Sequence, residues 1–113
     1  MKRGEIWTVS GGQEYAGKPR PAVIIQDDNF DATASVTICT FTTDPTEAPI
    51  FRLLVEPTKE NGLRAESRLM VDKLTTVPKV KIGSKVGRLA DSDLLRLNRA
   101  VVVFLGLAGA SRS

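Results

Sequence analysis

The chain of 113 residues contains no histidine and a single cysteine, Cys39. These two counts remove most nucleophilic and metal chemistry. A His general base, a Ser-His-Asp or Cys-His arrangement, a His-built or multi-Cys metal site and an intramolecular disulfide are all excluded. Cys39 lies inside an alternating apolar–polar segment and reads as a small buried hydrophobe of a reduced, cytoplasmic protein. Chemistry is left to Arg, Lys, Asp, Glu, Ser, Thr and backbone groups. Arg20 stands out first, in Arg20-Pro21, because it sits where a Gly- and Pro-containing loop meets an apolar run. A guanidinium presents five donors in one plane and grips two oxygens of a phosphate at once, and loop-to-strand junctions are where a rigid scaffold commonly holds function. The alternative for Arg20 is a plain surface arginine ahead of an edge strand.

The charge pattern points the same way. Lys and Arg total 16 and Asp and Glu total 13, a formal charge of +3. From Gln26 to Ile50 there are five acids (Asp27, Asp28, Asp31, Asp44, Glu47) and no Lys or Arg, so the rest of the chain stands at +8. Separated basic and acidic stretches favour a polyanion partner on one side. Basic residues gather at Lys2/Arg3, Lys18/Arg20, Arg64/Arg68 and along Lys79–Arg88. The opening Met-Lys-Arg-Gly-Glu-Ile-Trp has no apolar region behind its charges, so no signal peptide is expected, and no run nears the ~18 apolar residues of a membrane span.

The elements that must position these groups are mostly strands. Gly4–Ser10 alternates, and Gly11–Pro19 is a loop. Ala22–Ile25 is a continuous apolar run that predicts a strand buried on both faces or a barrel strand, with Pro21 at its first residue or on an edge. Val36–Thr43 alternates and is rich in Thr. Phe51–Val55 is a further strand, Glu56–Gly62 a turn, Ser67–Thr76 a strand pair or a bent strand, Pro78–Gly83 a break and Lys85–Leu89 a last strand. About six short strands with regular turn signals predict a mainly β protein built as a small barrel. The period then changes: Leu94, Leu97, Val101 and Leu105 form one apolar stripe of a C-terminal helix, with Asp91 as its N-cap and Gly106 or Gly109 as its stop. Length and pattern predict one domain over 1–110 with a frayed tail, 111–113.

Four segments, in order, resemble the MazF/PemK (Kid) family of bacterial toxins: Lys2–Trp7, the run Gly17-Lys18-Pro19-Arg20-Pro21-Ala22-Val23-Ile24-Ile25-Gln26, Thr40-Phe41-Thr42-Thr43, and Val86-Gly87-Arg88-Leu89 before a helix ending Phe104-Leu105-Gly106-Leu107. The resemblance covers essentially the whole chain. It implies an SH3-like barrel with a C-terminal helix, a homodimer, a cognate antitoxin, and a metal-independent endoribonuclease needing no cofactor. Such an enzyme cuts single-stranded mRNA with the substrate's own 2′-OH, leaving a 2′,3′-cyclic phosphate and a 5′-OH, which suits a protein without histidine. The resemblance gives Arg20 the role of transition-state stabiliser and Thr42 that of the catalytic hydroxyl; Thr43 is the neighbour that a one-residue register slip would substitute. Asp72 matches an acidic position and becomes a candidate general base if partial burial raises its pKa. Two departures put the base in doubt. Met70 stands where Kid-like members carry an arginine two positions before the acid, with Arg68 two further back. No histidine stands in the first loop, where Gln13 and Glu14 lie instead, so Glu14 is the second candidate base. Lys18 is expected to contact phosphate, Tyr15 to stack on a base, and Gln26, Thr43 and Arg68 to contact RNA, while Trp7 is expected in the core. Two other readings stay open: a CcdB-like gyrase poison without nuclease activity, and a non-catalytic SH3-like RNA-binding module.

Overall fold

The computed structural model describes residues 1–10 and 18–109. Among these, seven strands and one helix follow in order: β1 Glu5–Val9, β2 Arg20–Ile24, β3 Ser35–Thr42, β4 Arg52–Val55, β5 Ser67–Met70, β6 Thr75–Pro78, β7 Ile82–Arg88 and α1 Asp91–Phe104. All strand pairs are antiparallel, in the order β4-β5-β3-β2-β1-β7, with β6 also paired to β3. The chain is therefore mainly β with a C-terminal helix, as the residue pattern predicts.

The continuous apolar run in β2 has a simple cause: both of its faces are covered. Val23 joins Ile6, Cys39, Phe41, Leu69, Leu89 and Leu97 in the larger core, while Ala22 and Ile24 join Val9, Val36 and Ile38 in a smaller one on the opposite face. Trp7 is not a core residue. It is half-buried against the smaller cluster, and its Nε1 donates to Glu5 Oε1 at 3.1 Å. The Glu5 carboxyl lies low as a result: burial works against ionisation, yet the Lys2 N–H, the Lys85 ammonium and the Trp7 indole hold it at about 2.

β5 and β6 are successive stretches of one bent strand running along β3. Phe41 and Thr42 pair with β5, and Ser35 to Ile38 pair with β6; a 3₁₀ turn over Val71–Lys73 makes the bend. The break expected over Pro78–Gly83 is shorter, a 3₁₀ turn at Lys79–Lys81, and β7 already begins at Ile82.

β4 and β7 end the strand order and are not paired, but the connection after β4 bridges them. Arg88 N–H donates to the Glu60 carbonyl at 3.0 Å. Buried Asn61 ties the loop from inside: its Nδ2 donates to Glu56 O, and its Oδ1 accepts from the Thr58 and Leu63 amides. Gly62 adopts φ +69°, and a Cβ there would strike the Val86 carbonyl; a Cβ on Gly87 would lie 2.5 Å from the Asn61 carbonyl. This close seam completes the barrel-like wall.

α1 packs on the larger core through buried Leu97 and Ala100 and partly buried Leu94 and Val101. Two details differ from expectation. Ala90 holds the N-cap position, and Asp91 and Asp93 lie in the first turn, paired with Arg88 and Arg96. Leu105 lies beyond the last turn and is exposed. Gly106 does stop the helix: at φ +76° its N–H reaches Val103 O while the Leu107 N–H reaches Val102 O, the Schellman arrangement. No helix among the described residues is long and apolar enough to cross a membrane.

Candidate active site

Three of the residues singled out for chemistry, Arg20, Thr42 and Arg68, fall on β2, β3 and β5. Thr42 closes β3 and pairs with Arg68 of β5. In the β2–β3 ladder Ala22 pairs with Thr40, so carrying the register on by two residues sets Arg20 level with Thr42. Directly opposed residues share a sheet face, with neighbouring strands about 4.8 Å apart. Arg20, Thr42 and Arg68 thus form one cross-strand row on the face away from the larger core.

Alternation gives Thr43 the opposite face. There it lines a cavity of about 600 Å³ with Pro19, Pro21, Arg64, Ser67 and Val86, at the mouth of the barrel. Thr42 and Thr43 therefore look into different spaces, and only Thr42 shares a face with the two arginines. Its Oγ1 accepts from the Asp44 N–H at 3.1 Å, and its own proton has no acceptor among the described residues.

Arg52, which the sequence reading passed over, joins this face. It opens β4 directly opposite Met70, diagonal to Arg68. Its Nε and Nη2 donate to the two carboxylate oxygens of Asp72 at 2.7 and 2.9 Å. This side-on pair corrects the expectation for Asp72. The Arg52 hydrogen bonds hold its carboxyl below the ordinary value against the opposing effect of partial burial, so the raised pKa a general base requires is absent. Asp72 is a salt-bridge carboxylate.

The acidic stretch is divided in space. Asp28 and Asp31 lie at the far end of β2–β3, where the Arg3 amide and the Lys79 side chain meet them. Asp44 and Glu47 fold back toward the arginines. Glu47 reaches Arg68 at 3.4 Å, and Asp44 is held low by the Thr46 hydroxyl and amide, with the charges of Arg52 and Arg68 adding to the effect. Blocks of charge in sequence are thus not blocks on the surface.

Gln26 stands apart from the row. It is six residues beyond Arg20, about 20 Å at a strand rise of about 3.3 Å. Its Nε2 donates to Phe30 O and Thr33 Oγ1, and its Oε1 accepts from the Thr37 N–H, so the amide braces the β2–β3 connection. Lys18 is exposed two residues before Arg20. Glu14 and Tyr15 lie outside the described residues. Cys39 is fully buried, and burial together with the charge of Asp72 pushes its thiol to about 12, which makes it chemically inert.

A family model described as PemK-like, MazF-like toxin of type II toxin–antitoxin systems matches residues 2–105. The chain belongs to that family. A probable endoribonuclease MazF of Mycolicibacterium smegmatis is 55% identical over 109 residues, covering 96% of this chain and 100% of the relative. Endoribonuclease MazF9 of Mycobacterium tuberculosis is 27% identical, covering 95% and 98%. Among solved structures, an endoribonuclease in complex with its cognate antitoxin from a mycobacterial species superposes with a TM-score of 0.79 at 21% identity, covering 97% of this chain and 99% of that one. That likeness concerns the fold. It gives the barrel-like wall and the C-terminal helix of this family member a direct counterpart.

Proposed function

We propose that this toxin is an endoribonuclease that cleaves single-stranded mRNA and is restrained by an acidic antitoxin. The observation that carries the reading is the row Arg20–Thr42–Arg68 on one sheet face, together with the family match. RNA brings its own nucleophile. The 2′-oxygen attacks phosphorus as its proton leaves, the bond to the 5′-oxygen breaks, that oxygen takes a proton from water, and the products are a 2′,3′-cyclic phosphate and a 5′-OH. The protein must hold these atoms in line and meet the charge that grows on the phosphoryl oxygens. Arg20 takes two of those oxygens in its fork, and Thr42 donates its uncommitted proton to one of them. With Asp72 engaged by Arg52, Glu14 is the candidate for taking the 2′-OH proton. Lys18 holds a neighbouring phosphate, Tyr15 stacks on a base, and Arg68 adds positive potential beside Thr42. The cavity under Thr43 has the size and apolar lining to take a splayed base.

The antitoxin segment covers the arginine face, and two copies of the toxin associate as a homodimer. An mRNA target and a buried reduced thiol both fit the cytoplasm. The test is incubation of the purified protein with long single-stranded RNA in EDTA. Cleavage to 5′-OH ends, lost in Arg20→Ala, supports the reading. Intact RNA together with inhibited gyrase overturns it.

A further inference from the structure

The Arg52–Asp72 pair has a form that a simple strut does not need. Asp72 takes the Nε–Nη2 side of the guanidinium. The end-on fork, Nη1 and the second hydrogen of Nη2, has no acceptor among the described residues. Arginine binds planar anions by either edge, so one edge can be anchored while the other stays available. The Arg52 side chain is only 14% exposed and that of Asp72 21%, so the plane is fixed rather than waving in solvent. Its place in the lattice is also specific. Arg52 lies one strand over from Arg68 and two residues along, within about 7–8 Å on the diagonal and on the Thr42 face. The Met70 side chain opposite it is apolar and cannot compete for an anion.

We propose that Arg52 presents its end-on fork to the RNA phosphate next to the one cleaved, and that Asp72 is the positioning residue that sets the plane of that fork. The assignment rests on the RNA-cleaving reading above. It gives the outer face of β4 a role in holding substrate, and it replaces proton transfer with orientation as the work of Asp72. A contact of this kind binds ground state and transition state alike, so its loss weakens binding and leaves the chemical step nearly untouched.

The experiment compares wild type, Asp72→Asn, Arg52→Met and the double variant Arg52→Met/Asp72→Asn. The double variant removes both charges, so neither partner is left unpaired, and thermal melting reports whether the fold is intact. Binding is read with an RNA carrying 2′-deoxyribose at the scissile position, which cannot be cut, across a salt series. Loss of one phosphate contact reduces the slope of log affinity against log salt by about 0.7 for a single strand. The expected result is that reduction in both Arg52 variants, KM raised about tenfold and kcat within about threefold. Asp72→Asn is expected to shift KM in the same direction by less and to leave the pH–rate profile in place. A wild-type slope and KM in a folded double variant overturns the proposal. So does a large kcat loss in Asp72→Asn with the acidic limb of the pH–rate profile gone, which would return Asp72 to proton transfer. If wild type binds RNA without cutting it, the nuclease reading fails while the salt slope still decides the Arg52 contact.

Discussion

The two ends of the β2–β3 hairpin are built from similar residues and behave in opposite ways. At the Gln26 end, polar groups satisfy one another: the Gln26 amide makes three hydrogen bonds, Thr33 Oγ1 donates to the Ser35 carbonyl at 2.6 Å, and the Thr37 and Thr76 hydroxyls meet at 2.7 Å. At the Thr42 end the hydroxyl accepts one backbone N–H and keeps its proton, and guanidiniums share its face. A hydrogen bond already made inside the protein must be broken before a ligand can use the group, and its net worth is about 1 kcal/mol. Leftover capacity at the Thr42 hydroxyl and on the outer edge of Arg52, rather than residue type, sets this end apart.

The largest expected effect at the Thr42 end comes from Arg20. Arg20→Ala is expected to lower kcat about 10³-fold or more, as loss of a phosphate-stabilising arginine does elsewhere. Arg20→Lys should not restore it, because a point charge lacks the bidentate fork. Near-normal turnover by the lysine variant would reduce Arg20 to a source of positive potential. Next comes Thr42→Ala, expected to cost about 10²-fold in kcat, more than Thr43→Ala, whose side chain faces the cavity. The reverse order would move the working face to the barrel mouth. At the other end, Gln26→Leu is expected to destabilise the fold by about 1 kcal/mol while RNA affinity per folded molecule stays constant. Weakened RNA binding with an unchanged denaturation midpoint would erase the contrast.

A last test, independent of RNA, is a pH dependence away from both ends. Glu5 has its carboxyl held at about 2 against an ordinary 4.5. A depressed folded-state pKa contributes stability that is whole above 4.5 and is lost as pH falls through 2. Glu5→Gln should therefore be less stable than wild type at pH 7, and the gap in denaturation midpoint should close on acidification. A constant gap would mean that Glu5 acts through packing alone.

The elements of this fold are more legible in the residues than their mutual placement is. The run Ala22–Ile25, the alternation through Cys39 and Phe41, and the stripe Leu94–Leu97–Val101 each carry their own period, so strand and helix are legible locally. Gly106 is legible as a stop because a positive φ selects glycine. Register is another matter. That Arg52 faces Met70 follows from how short strands β4 and β5 align, and no residue within either strand encodes it. The Asp72 environment is illegible for the same reason: its carboxyl is held low by a partner twenty residues away in sequence. Gln26 adjoins the Arg20 strand in sequence, while its hydrogen bonds belong to the next connection, which sequence proximity does not reveal.

The seam at Gly62 and Gly87 has a consequence for how such a protein can diversify. Any side chain at either position meets backbone rather than a movable group, so exchange there separates the walls of the barrel. Arg64, Ala65 and Glu66 follow immediately and are exposed, with Arg64 and Ala65 on the rim of the cavity. Inheritance is thus rigid at the hinge and permissive beside it. The rim can change its side chains, and with them the chemistry of the cavity mouth, while the frame stays unaltered.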